Sequence, residues 1–290
     1  MTAPFLAIDW GTTNRRVYRI ENGAVAATER DDRGVAAMQS RGFEQELAAI
    51  RERCGDLPVL MAGMVGSTIG WREAAYVAVP AGIEVLAANC LSIDARTAIV
   101  PGIAVDTEQR SDVMRGEEVQ LLGAVAAGLV PRDAMLCQPG THCKWAAITR
   151  GEVTSFTTAM TGEMFAMLRA HSVLARQMTA PVAAGPAFVD GVRQGAKRDL
   201  GATLFGIRAG GVLGRLAEDD AASFASGALI GSDVAARLAE GGDRDFHILA
   251  DPELGGLYRL AIETLGGSAR IVDSHAAFVA GITAIQELRA

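Results

Sequence analysis

Asp9–Asn14, near the start of the chain, bring a carboxylate, a glycine and two threonine hydroxyls together within a few residues. Apolar stretches precede and follow them, over 5–8 and 17–20, so we predict a β-hairpin whose turn carries these polar groups. Such a turn offers backbone N–H groups and two hydroxyl donors to one anion. A concave set of donors of this kind suits a phosphate.

Asp9 by itself would repel a phosphate. Its carboxylate fits such a site if it holds Mg²⁺, directly or through water, because Mg²⁺ bridges phosphates with the help of one or two protein carboxylates. The alternative is an ordinary hairpin with a polar turn, and the stretch alone does not choose between the two.

The same succession of features recurs in the second half of the chain. An apolar strand over 134–138 leads into a Gly-Thr turn at Gly140, a second strand and a glycine turn at Gly151. The spacing from Gly140 to Gly151 is one residue shorter than that from Gly11 to Gly23. This internal repeat predicts a duplicated architecture in which each half supplies one phosphate-binding hairpin and a triphosphate lies between the halves.

A second candidate site follows the apolar strand predicted over 57–62. Gly63–Ser67 form a loop with two glycines at the end of this strand, and open α/β sheets place ligands at the carboxyl ends of their strands. Trp71 could stack on a sugar while Arg72 binds a charged group. The alternative is that both side chains simply cover the sheet.

Asp112 lies where we predict the start of a helix, in the segment 111–118, with a buried stripe that continues to Leu129. At the N-cap or in the first turn, the helix dipole keeps a carboxylate ionised. This is what a base facing a hydroxyl requires, although most aspartates at such positions are structural caps.

Residue periodicity predicts the elements that carry these groups. Helices are expected over 43–54, from 165 to 172, from 226 through 238, after Asp251-Pro252 and over 274–288. Strands are expected at 245–249 and 269–272. The segment 179–214 holds much of the proline and glycine, so we expect loops with short helical turns there.

Length and composition bound the class of protein. A chain of 290 residues, half of them hydrophobic and with a mean hydropathy of +0.21, predicts a well-packed globule with one large or two medium domains. No apolar run approaches the roughly 18 residues that span a bilayer, and no basic stretch of a signal peptide opens the chain. The net charge of −7 argues against a nucleic-acid partner, and four cysteines without paired spacing fit a reducing cytoplasm.

Several common catalytic motifs are absent from the sequence. Neither Lys144 nor Lys197 lies in a Walker A context, and no strand-linked G-x-G-x-x-G or G-x-S-x-G elbow is present. The histidines and cysteines lack metal-ligand spacing. Two phosphate hairpins and an isolated aspartate remain, and phosphoryl transfer to a hydroxyl needs positioning, Mg²⁺ and one base.

Five motifs, in this order, resemble one family. They are AIDWGTTNRR (7–16), GMVGSTIGWREAAYV (63–77), VPGI (100–103), DVMRGEEVQLLGA (112–124) and PGTHCKW (139–145). The chain therefore resembles the 2-dehydro-3-deoxygalactonokinase family, in the sugar-kinase branch of the actin-like ATPase superfamily. Cys143 departs from the expected serine, and Thr68-Ile69 from a more polar pair.

The resemblance implies an α/β fold of two RNase H-like lobes, with mixed five-stranded sheets flanked by helices and an ATP cleft between them. The N-terminal lobe is expected over 1–105, completed by a helix at 275–290, and the C-terminal lobe over 106–274. The implied activity is transfer of the γ-phosphate of ATP to the terminal hydroxyl of 2-dehydro-3-deoxy-D-galactonate, in the cytoplasm, by a monomer or homodimer with no membrane partner.

The resemblance also implies roles for individual residues. Asp112 is expected to be the general base, and Asp9 to orient Mg²⁺. Phosphate contacts are expected from Gly11, Thr12, Thr13, Gly140, Thr141, His142 and Lys144. Sugar-acid contacts are expected from Asn14, Arg15, Arg16, Gly63, Met64, Ser67, Trp71 and Arg72, with the three arginines as unranked candidates for the carboxylate. Adenosine contacts are expected from Gly227, Gly231, Asp251 and Pro252.

Two alternatives stay open at this stage. A kinase for a related sugar acid, such as 2-dehydro-3-deoxygluconate, would differ by one stereocentre of its substrate. A non-catalytic actin-like ATP-binding protein would belong to a different functional class, and the DVMRGEE context of Asp112 counts against it.

Overall fold

The polar turn at Asp9–Asn14 follows the innermost strand of a sheet in a computed structural model, which describes residues 3–38, 42–242 and 244–289. The chain divides into two units. Unit 1 comprises Met1–Asp133, Ala147–Phe156 and Ser274–Ala290, and unit 2 comprises Ala134–Ala146 and Thr157–Asp273. Each unit is described by itself below.

In the described part of its first half, the chain forms nine strands and three α-helices. In chain order they are β1 (Phe5–Trp10), β2 (Arg15–Glu21), β3 (Ala24–Asp31), α1 (Phe43–Cys54), β4 (Val59–Ala62), β5 (Val77–Ala78), α2 (Ile83–Ala88), β6 (Leu91–Asp94), β7 (Thr97–Ile99), β8 (Ile103–Asp106), β9 (Ser111–Met114) and α3 (Glu117–Ala126). Short 3₁₀ helices lie at Val35–Met38 and Met64–Gly66.

The first sheet has the order β3-β2-β1-β4-β7-β6. β1 pairs antiparallel with β2, so that Asp9 lies opposite Arg16, and parallel with β4. All of its residues except Asp9 are buried, as expected of an apolar strand inside a sheet. The polar residues are therefore excluded from the strand and collect in the turn at its carboxyl end.

A close helix pair completes unit 1. A methyl group added to Gly123 of α3 would lie 2.0 Å from the carbonyl oxygen of Ala277, and one added to Gly281 would lie 2.1 Å from that of Val119. The last helix, α9 (Ser274–Arg289), therefore approaches α3 backbone to backbone. A separate sheet in unit 1 has the order β5-β8-β9.

The second half supplies the remaining elements. They are β10 (Ala134–Gln138), β11 (Cys143–Thr149), β12 (Glu152–Ala159), α4 (Thr161–His171), α5 (Pro186–Gly195), α6 (Leu200–Val212), α7 (Ala221–Ala239), β13 (Asp245–Leu249), α8 (Pro252–Thr264), β14 (Ser268–Val272) and the helix α9. No helix in the described ranges combines the length and hydropathy that crossing a bilayer requires.

The second sheet has the order β12-β11-β10-β13-β14. Its central strand β10 pairs parallel with β13, which pairs parallel with β14. The first five positions of the first sheet, β3-β2-β1-β4-β7, follow the same order of succession, with β1, β4 and β7 parallel. The internal repeat inferred from the two Gly-Thr turns is confirmed as a repeat of strand topology.

Two expectations about elements need correction. Helix α3 begins at Glu117, not near Asp112, because Gly116 adopts a positive φ of 105° and ends the preceding extended segment. The first sheet has a sixth strand, β6. The lobe boundaries 1–105 with 275–290 and 106–274 stay a prediction; residues 106–133 and Ser274–Ala290 both group with unit 1.

The segment 179–214 was expected to form loops and instead contains the helices α5 and α6. Its glycines serve helix packing. A methyl group on Gly191 would lie 2.2 Å from the carbonyl oxygen of Phe224, and one on Gly195 would lie 2.0 Å from that of Ala228. The glycines allow α5 to pack closely on α7, and Pro186 occupies the first turn of α5, where proline is tolerated.

Candidate active site

Backbone hydrogen bonds to its carbonyl groups hold the turn after β1 in place. The N–H of Gly11 donates to the carbonyl of Asn14 at 3.0 Å, and the N–H of Ala36 donates to the carbonyl of Thr12 at 3.0 Å. A methyl group on Gly34 would lie 2.3 Å from the same Thr12 oxygen, so only glycine allows this contact. Thr12, together with its neighbour Thr13, is exposed. The turn therefore presents hydroxyls to solvent while its carbonyls are bonded inside, as an anion site requires.

The carboxylate of Asp9 lies at the base of this turn and is partly exposed. The guanidinium of Arg16 on the paired strand approaches it at 3.5 Å. Burial raises the pKa of Asp9 above its ordinary value and the charge of Glu117 adds to this, while Arg16 and His275 act in the opposite direction. Burial has the largest effect on this pKa. The positive groups near Asp9 therefore do not fully compensate for the cost of burying its negative charge.

Three backbone segments meet beside Asp9. A methyl group on Gly63, which has a φ of 95°, would lie 2.8 Å from the carbonyl oxygen of Trp10. A methyl group on Gly116 would lie 3.0 Å from the Cα of Gly63. The end of β1, the end of β4 and the start of α3 are therefore stacked through glycines, and Glu117 follows directly on the third segment.

The loop after β4 is ordered by its own hydrogen bonds. The hydroxyl of Ser67 donates to the carbonyl of Met64 at 2.7 Å and is buried. Trp71 packs against the core and stacks on Phe43, with ring centroids 6.2 Å apart and planes 11° apart. One face of Trp71 is therefore occupied, whereas Arg72 is exposed.

Arg15 is not available to a substrate carboxylate, contrary to expectation. Its side chain is fully buried and donates to Glu46 at 2.9 Å and to Asp31. Its guanidinium also lies 4.9 Å from the centroid of the Trp10 ring. The alternation of side chains along β2 explains the difference, because Arg15 points to the core and Arg16 points to the face of Asp9.

Arg115, to which the sequence analysis gave no role, lies beside the candidate acceptor loop. Its Nη2 donates to the carbonyl of Ala74 at 2.7 Å, and its guanidinium lies 4.2 Å from the centroid of the Tyr76 ring. A methyl group on Gly66 would lie 2.9 Å from its Nη1. Arg115 therefore holds the segment that follows the loop Gly63–Ser67. Its position in the R-G-E-E run, within the motif at 112–124, was the only sequence feature that pointed to it.

The sequence analysis also gave no role to Glu118. Its side chain is fully buried, and both carboxylate oxygens accept from the N–H of Gly116, at 2.8 and 2.7 Å. Burial raises the pKa of Glu118 to about 8, and the charge of Glu117 adds to this, while the N–H of Gly116 favours the ionised form. Glu118 stabilises the turn that precedes α3.

Asp112, the expected general base, lies on strand β9 and not at a helix terminus. Its Oδ2 accepts from Arg110 at 3.2 Å and its Oδ1 from the N–H of Val113 at 2.9 Å. The residue is partly exposed and faces Val105 in the pairing of β8 with β9. The helix-dipole argument that selected Asp112 therefore applies instead to Glu117.

The turn after β10 repeats the construction of the first turn. The N–H of Glu163 donates to the carbonyl of Thr141 at 2.9 Å, and a methyl group on Gly162 would lie 2.3 Å from the carbonyl oxygen of Gly140. Gly162 thus corresponds to Gly34 of the first turn. Gly140 and Thr141 are exposed, as the phosphate prediction requires.

Two expected phosphate contacts in unit 2 have different settings. The imidazole Nε2 of His142 lies 2.6 Å from a carboxylate oxygen of Glu163, and both side chains are exposed. Lys144 is buried on β11, with 4% of its surface exposed. Its role as an additional phosphate contact stays a prediction.

A buried polar cluster lies beneath this second turn. The carboxylate of Asp233 accepts from the indole of Trp145 at 3.1 Å and from the hydroxyl of Thr161 at 3.1 Å. Cys143 also donates to it, and the Sγ atoms of Cys143 and Cys137 are 3.7 Å apart. Burial raises the pKa of Asp233, and these donors oppose the shift. The cluster joins both strands of the hairpin to α7.

The expected adenosine contacts at Gly227 and Gly231 need correction. Both glycines lie inside helix α7, and added methyl groups would lie 2.1 Å and 2.4 Å from the carbonyl oxygens of Phe188 and Val192 on α5. Their Cα atoms therefore serve helix packing. Asp251 and Pro252 lie exposed at the start of α8, with the proline in the first turn as expected.

An apolar cavity of about 160 Å³ opens on the other side of α7, in unit 2. Its lining includes Gly140 of the turn, Ser226 and Ile230 of α7, and Leu254 and Tyr258 of α8. The cavity is therefore continuous with the second turn and has the size and apolarity to accept a flat ring.

Comparisons with known proteins agree with this construction. The model of the family described as 2-keto-3-deoxy-galactonokinase matches residues 9–285. The chain is 38% identical to DgoK1 of Rhizobium meliloti (strain 1021), assigned as a 2-dehydro-3-deoxygalactonokinase, over 97% of this chain and 95% of that protein. It is 34% identical to the 2-dehydro-3-deoxygalactonokinase of Escherichia coli (strain K12), over 98% of both chains.

Solved structures give the same result for the fold. A crystal structure from Sinorhizobium meliloti, assigned to the same kinase, superposes with a TM-score of 0.92 at 34% identity and 97% coverage of each chain. The 2-hydroxyisocaproyl-CoA dehydratase activator from Clostridium difficile, solved with bound ADPNP, matches 99% of this chain at 12% identity with a TM-score of 0.51. The second likeness concerns the fold alone, and the expected actin-like ATPase fold is confirmed.

Proposed function

Because this chain belongs to the 2-keto-3-deoxy-galactonokinase family, we propose that it transfers the γ-phosphate of ATP to the terminal (6-) hydroxyl of 2-dehydro-3-deoxy-D-galactonate. One observation carries the proposal. The family match spans residues 9–285 and so includes Asp9, both braced turns and the whole R-G-E-E run. The product would be the 6-phosphate of the sugar acid, in the catabolism of D-galactonate.

The phosphates of ATP are assigned to the two turns. In unit 1 the donors are the exposed hydroxyls of Thr12 and Thr13, and in unit 2 they are Thr141 and the neighbouring His142. The bonding of the turn carbonyls to Gly34–Ala36 and to Glu163 supports this assignment, because it fixes the turns before the ligand arrives.

Asp9 fits the role of a magnesium ligand. Its carboxylate is partly exposed, and burial raises its pKa despite the nearby Arg16, so an added positive charge would be favourable there. Among the described residues, no group of three or more acidic, histidine or cysteine side chains could hold a metal by itself. Mg²⁺ bound to phosphates needs only one or two protein carboxylates, and would neutralise charge that develops on the transferred phosphoryl group.

The acceptor is assigned to the loop Gly63–Ser67 and the residues beside it. With Arg15 engaged in the core, Arg16 and Arg72 are the two candidates for its carboxylate, and the exposed Arg72 has the freer guanidinium to form two parallel hydrogen bonds. Met64 and Asn14 would contact its hydroxyls.

The nucleotide base is assigned to the apolar cavity of unit 2. Its lining of Ile230, Leu254 and Tyr258 offers apolar surface to a purine. Ser226 would supply a polar contact at its edge. This places the base beside the second turn and moves the predicted contact from Gly227 and Gly231 to their neighbours on α7.

The thiols support a cytoplasmic location. All four cysteines are free, and two of them are buried. Free thiols fit a reducing compartment, so we place the reaction in the cytoplasm.

A comparison of acceptors tests the proposed function. ADP release from MgATP is measured with 2-dehydro-3-deoxy-D-galactonate, with its 2-dehydro-3-deoxygluconate epimer and without an acceptor. We expect the largest kcat/KM with the galactonate derivative. A preference for the epimer would reassign the acceptor, and ADP release that is independent of both would contradict kinase activity.

A further inference from the structure

We propose that Glu117, and not Asp112, accepts the proton of the attacking hydroxyl. The inference rests on the proposed function, since it names the base for that reaction. It follows from the packing of three backbone segments, which fixes the position of the first turn of α3.

The packing of the backbone places Glu117 beside the phosphate turn. Gly63 packs on the carbonyl of Trp10 at the end of β1, and Gly116 packs on the Cα of Gly63. Glu117 is the first residue of α3 after this contact. It therefore lies next to the end of β1, where Asp9 is located, and next to the loop assigned to the acceptor.

The neighbouring charges support the same location. Glu117 is one of the charges that act on Asp9, together with Arg16 and His275, which shows that these groups share one electrostatic environment. The phenol of Tyr18 lies 3.2 Å from Nδ1 of His275, which helps to fix the imidazole on this side of the sheet.

The two glutamates of the run differ in what they can reach. Glu118 is fully buried, with both carboxylate oxygens on the N–H of Gly116. Glu117 is partly exposed, and its Oε2 accepts from the N–H of Arg115 at 3.0 Å. That bond orients the Glu117 carboxylate in the first turn of α3.

Asp112 lacks these features. It lies on β9, and its two oxygens accept from Arg110 and from the N–H of Val113. The guanidinium of Arg110 occupies one of these oxygens, and a backbone N–H occupies the other. The role that the sequence assigned to an aspartate at the start of a helix therefore passes to the residue that does open the helix.

The transfer needs no reactant other than ATP and the sugar acid. The O–H bond of the terminal hydroxyl breaks, and its proton passes to the carboxylate of Glu117. The hydroxyl oxygen forms a bond to the γ-phosphorus as the bond from that phosphorus to the bridging oxygen of ADP breaks. ADP leaves with the bonding electrons, and Glu117 returns the proton to solvent after product release.

Paired variants test the proposal. In Glu117→Gln the amide oxygen can still accept from Arg115, and in Asp112→Asn the amide oxygen can still accept from Arg110. We expect kcat for acceptor-dependent ADP release to fall by roughly 10²–10⁴-fold in Glu117→Gln. We expect Asp112→Asn to stay within about threefold of the wild type, as a partly exposed substitution away from the chemistry. A loss in Asp112→Asn as large as that in Glu117→Gln would overturn the proposal.

A second measurement separates a base from a magnesium ligand. The affinity for MgADP and the Mg²⁺ concentration that gives half-maximal rate are expected to be unchanged in Glu117→Gln. Recovery of its rate at high Mg²⁺ would make Glu117 a metal ligand and overturn the proposal. If Glu117→Gln does not fold, Glu117→Ala is the second variant without a carboxylate, and a kcat of Glu117→Ala equal to that of the wild type would overturn the proposal.

An error in the proposed acceptor and an error in the proposed base would give different results. A wild-type enzyme with no turnover on 2-dehydro-3-deoxy-D-galactonate contradicts the proposed acceptor and leaves the base to be tested on the sugar acid that it does phosphorylate. A wild-type enzyme that turns over this acceptor, together with an active Glu117→Gln, contradicts the base alone.

Discussion

Gly63 and Gly116 lie so close that a methyl group on Gly116 would come within 3.0 Å of the Cα of Gly63. Gly63 in turn packs on the carbonyl of Trp10, so the loop after β4 and the start of α3 are both located relative to the end of β1. Both glycines have positive φ, which other residues adopt at a cost. This contact holds the acceptor loop and Glu117 in place beside the phosphate turn.

Gly116→Ala should disturb both stability and catalysis. Its φ of 105° and the contact with Gly63 together should lower the free energy of unfolding by about 2–4 kcal/mol. Gly128→Ala is the matched control, because Gly128 also has positive φ but an added methyl group would meet nothing within 4 Å. In Gly128→Ala the backbone strain of a positive φ should by itself lower the free energy of unfolding by about 1 kcal/mol. Chemical denaturation of both variants measures the difference, and equal losses would show that the Gly63 contact contributes nothing.

Glu118→Gln should change how stability depends on pH. Burial raises the pKa of Glu118 to about 8 from an ordinary value of 4.5, so in the folded protein this group holds its proton where the unfolded chain has released it. The stabilising contribution is complete below pH 4.5 and is lost as the pH rises to 8. The free energy of unfolding of the wild type relative to Glu118→Gln should therefore fall by up to about 5 kcal/mol over this window. Denaturation at pH 5, 6.5 and 8 measures the slope, and parallel curves would contradict the shifted pKa.

Arg115→Lys should loosen the segment after the acceptor loop. Lysine cannot both donate to the carbonyl of Ala74 and lie flat on the Tyr76 ring, so the variant should lose about 1–3 kcal/mol of stability. KM for the sugar acid should rise more than kcat falls, because the loop positions the acceptor. Arg110→Lys, at a half-exposed ion pair, is the control and should change stability by less than about 1 kcal/mol. An unchanged KM in Arg115→Lys would remove the link between this arginine and the acceptor.

Cys143→Ser and Cys137→Ser should differ although their thiols are only 3.7 Å apart. A serine hydroxyl at 143 can donate to the Asp233 carboxylate, as the thiol does now, so we expect a change of less than about 1 kcal/mol. A hydroxyl at the fully buried position 137 lies beside the weakly polar thiol of Cys143 and should cost about 1–3 kcal/mol. Thermal unfolding compares the two, and a more stable Cys137→Ser than Cys143→Ser would contradict the assigned donor.

Much of the fold could be predicted from sequence because local signals were strong. Helix α1 at Phe43–Cys54 and strands β10 and β13 occupy the ranges that were expected. The repeated Gly-Thr turn correctly indicated a repeat of strand order. Each of these predictions depended on apolar periodicity or on a turn within about ten residues.

The errors arose where glycine has a tertiary role. Gly191 and Gly195 suggested loops but lie inside α5 where it packs on α7. Gly227 and Gly231, expected as adenosine contacts, form the α7 side of the same helix packing. A single sequence does not distinguish a glycine that bends the chain from one that lets two helices touch. The positive φ of Gly116 was equally hidden, and it moved the start of α3 from the neighbourhood of Asp112 to Glu117.

Within the candidate site, tertiary contacts decide which of the predicted residues can reach a ligand. Arg15 and Arg16 are adjacent, and only the register of β1 with β2 shows that Arg16 faces Asp9 while Arg15 is paired in the core with Glu46. The glycines packed against the turns, Gly34 and Gly162, could not be recognised from the local sequence. Glycine is needed there because the backbone packs against a carbonyl group that is distant in the sequence.

The most direct test of the central claim is the position of the transferred phosphate. The wild-type enzyme is incubated with MgATP and 2-dehydro-3-deoxy-D-galactonate, and the products are quantified by phosphorus NMR with correlation to the sugar protons. The account predicts one phosphate monoester on the terminal carbon for each ADP released. Inorganic phosphate in place of the ester, or an ester at another carbon, would contradict it.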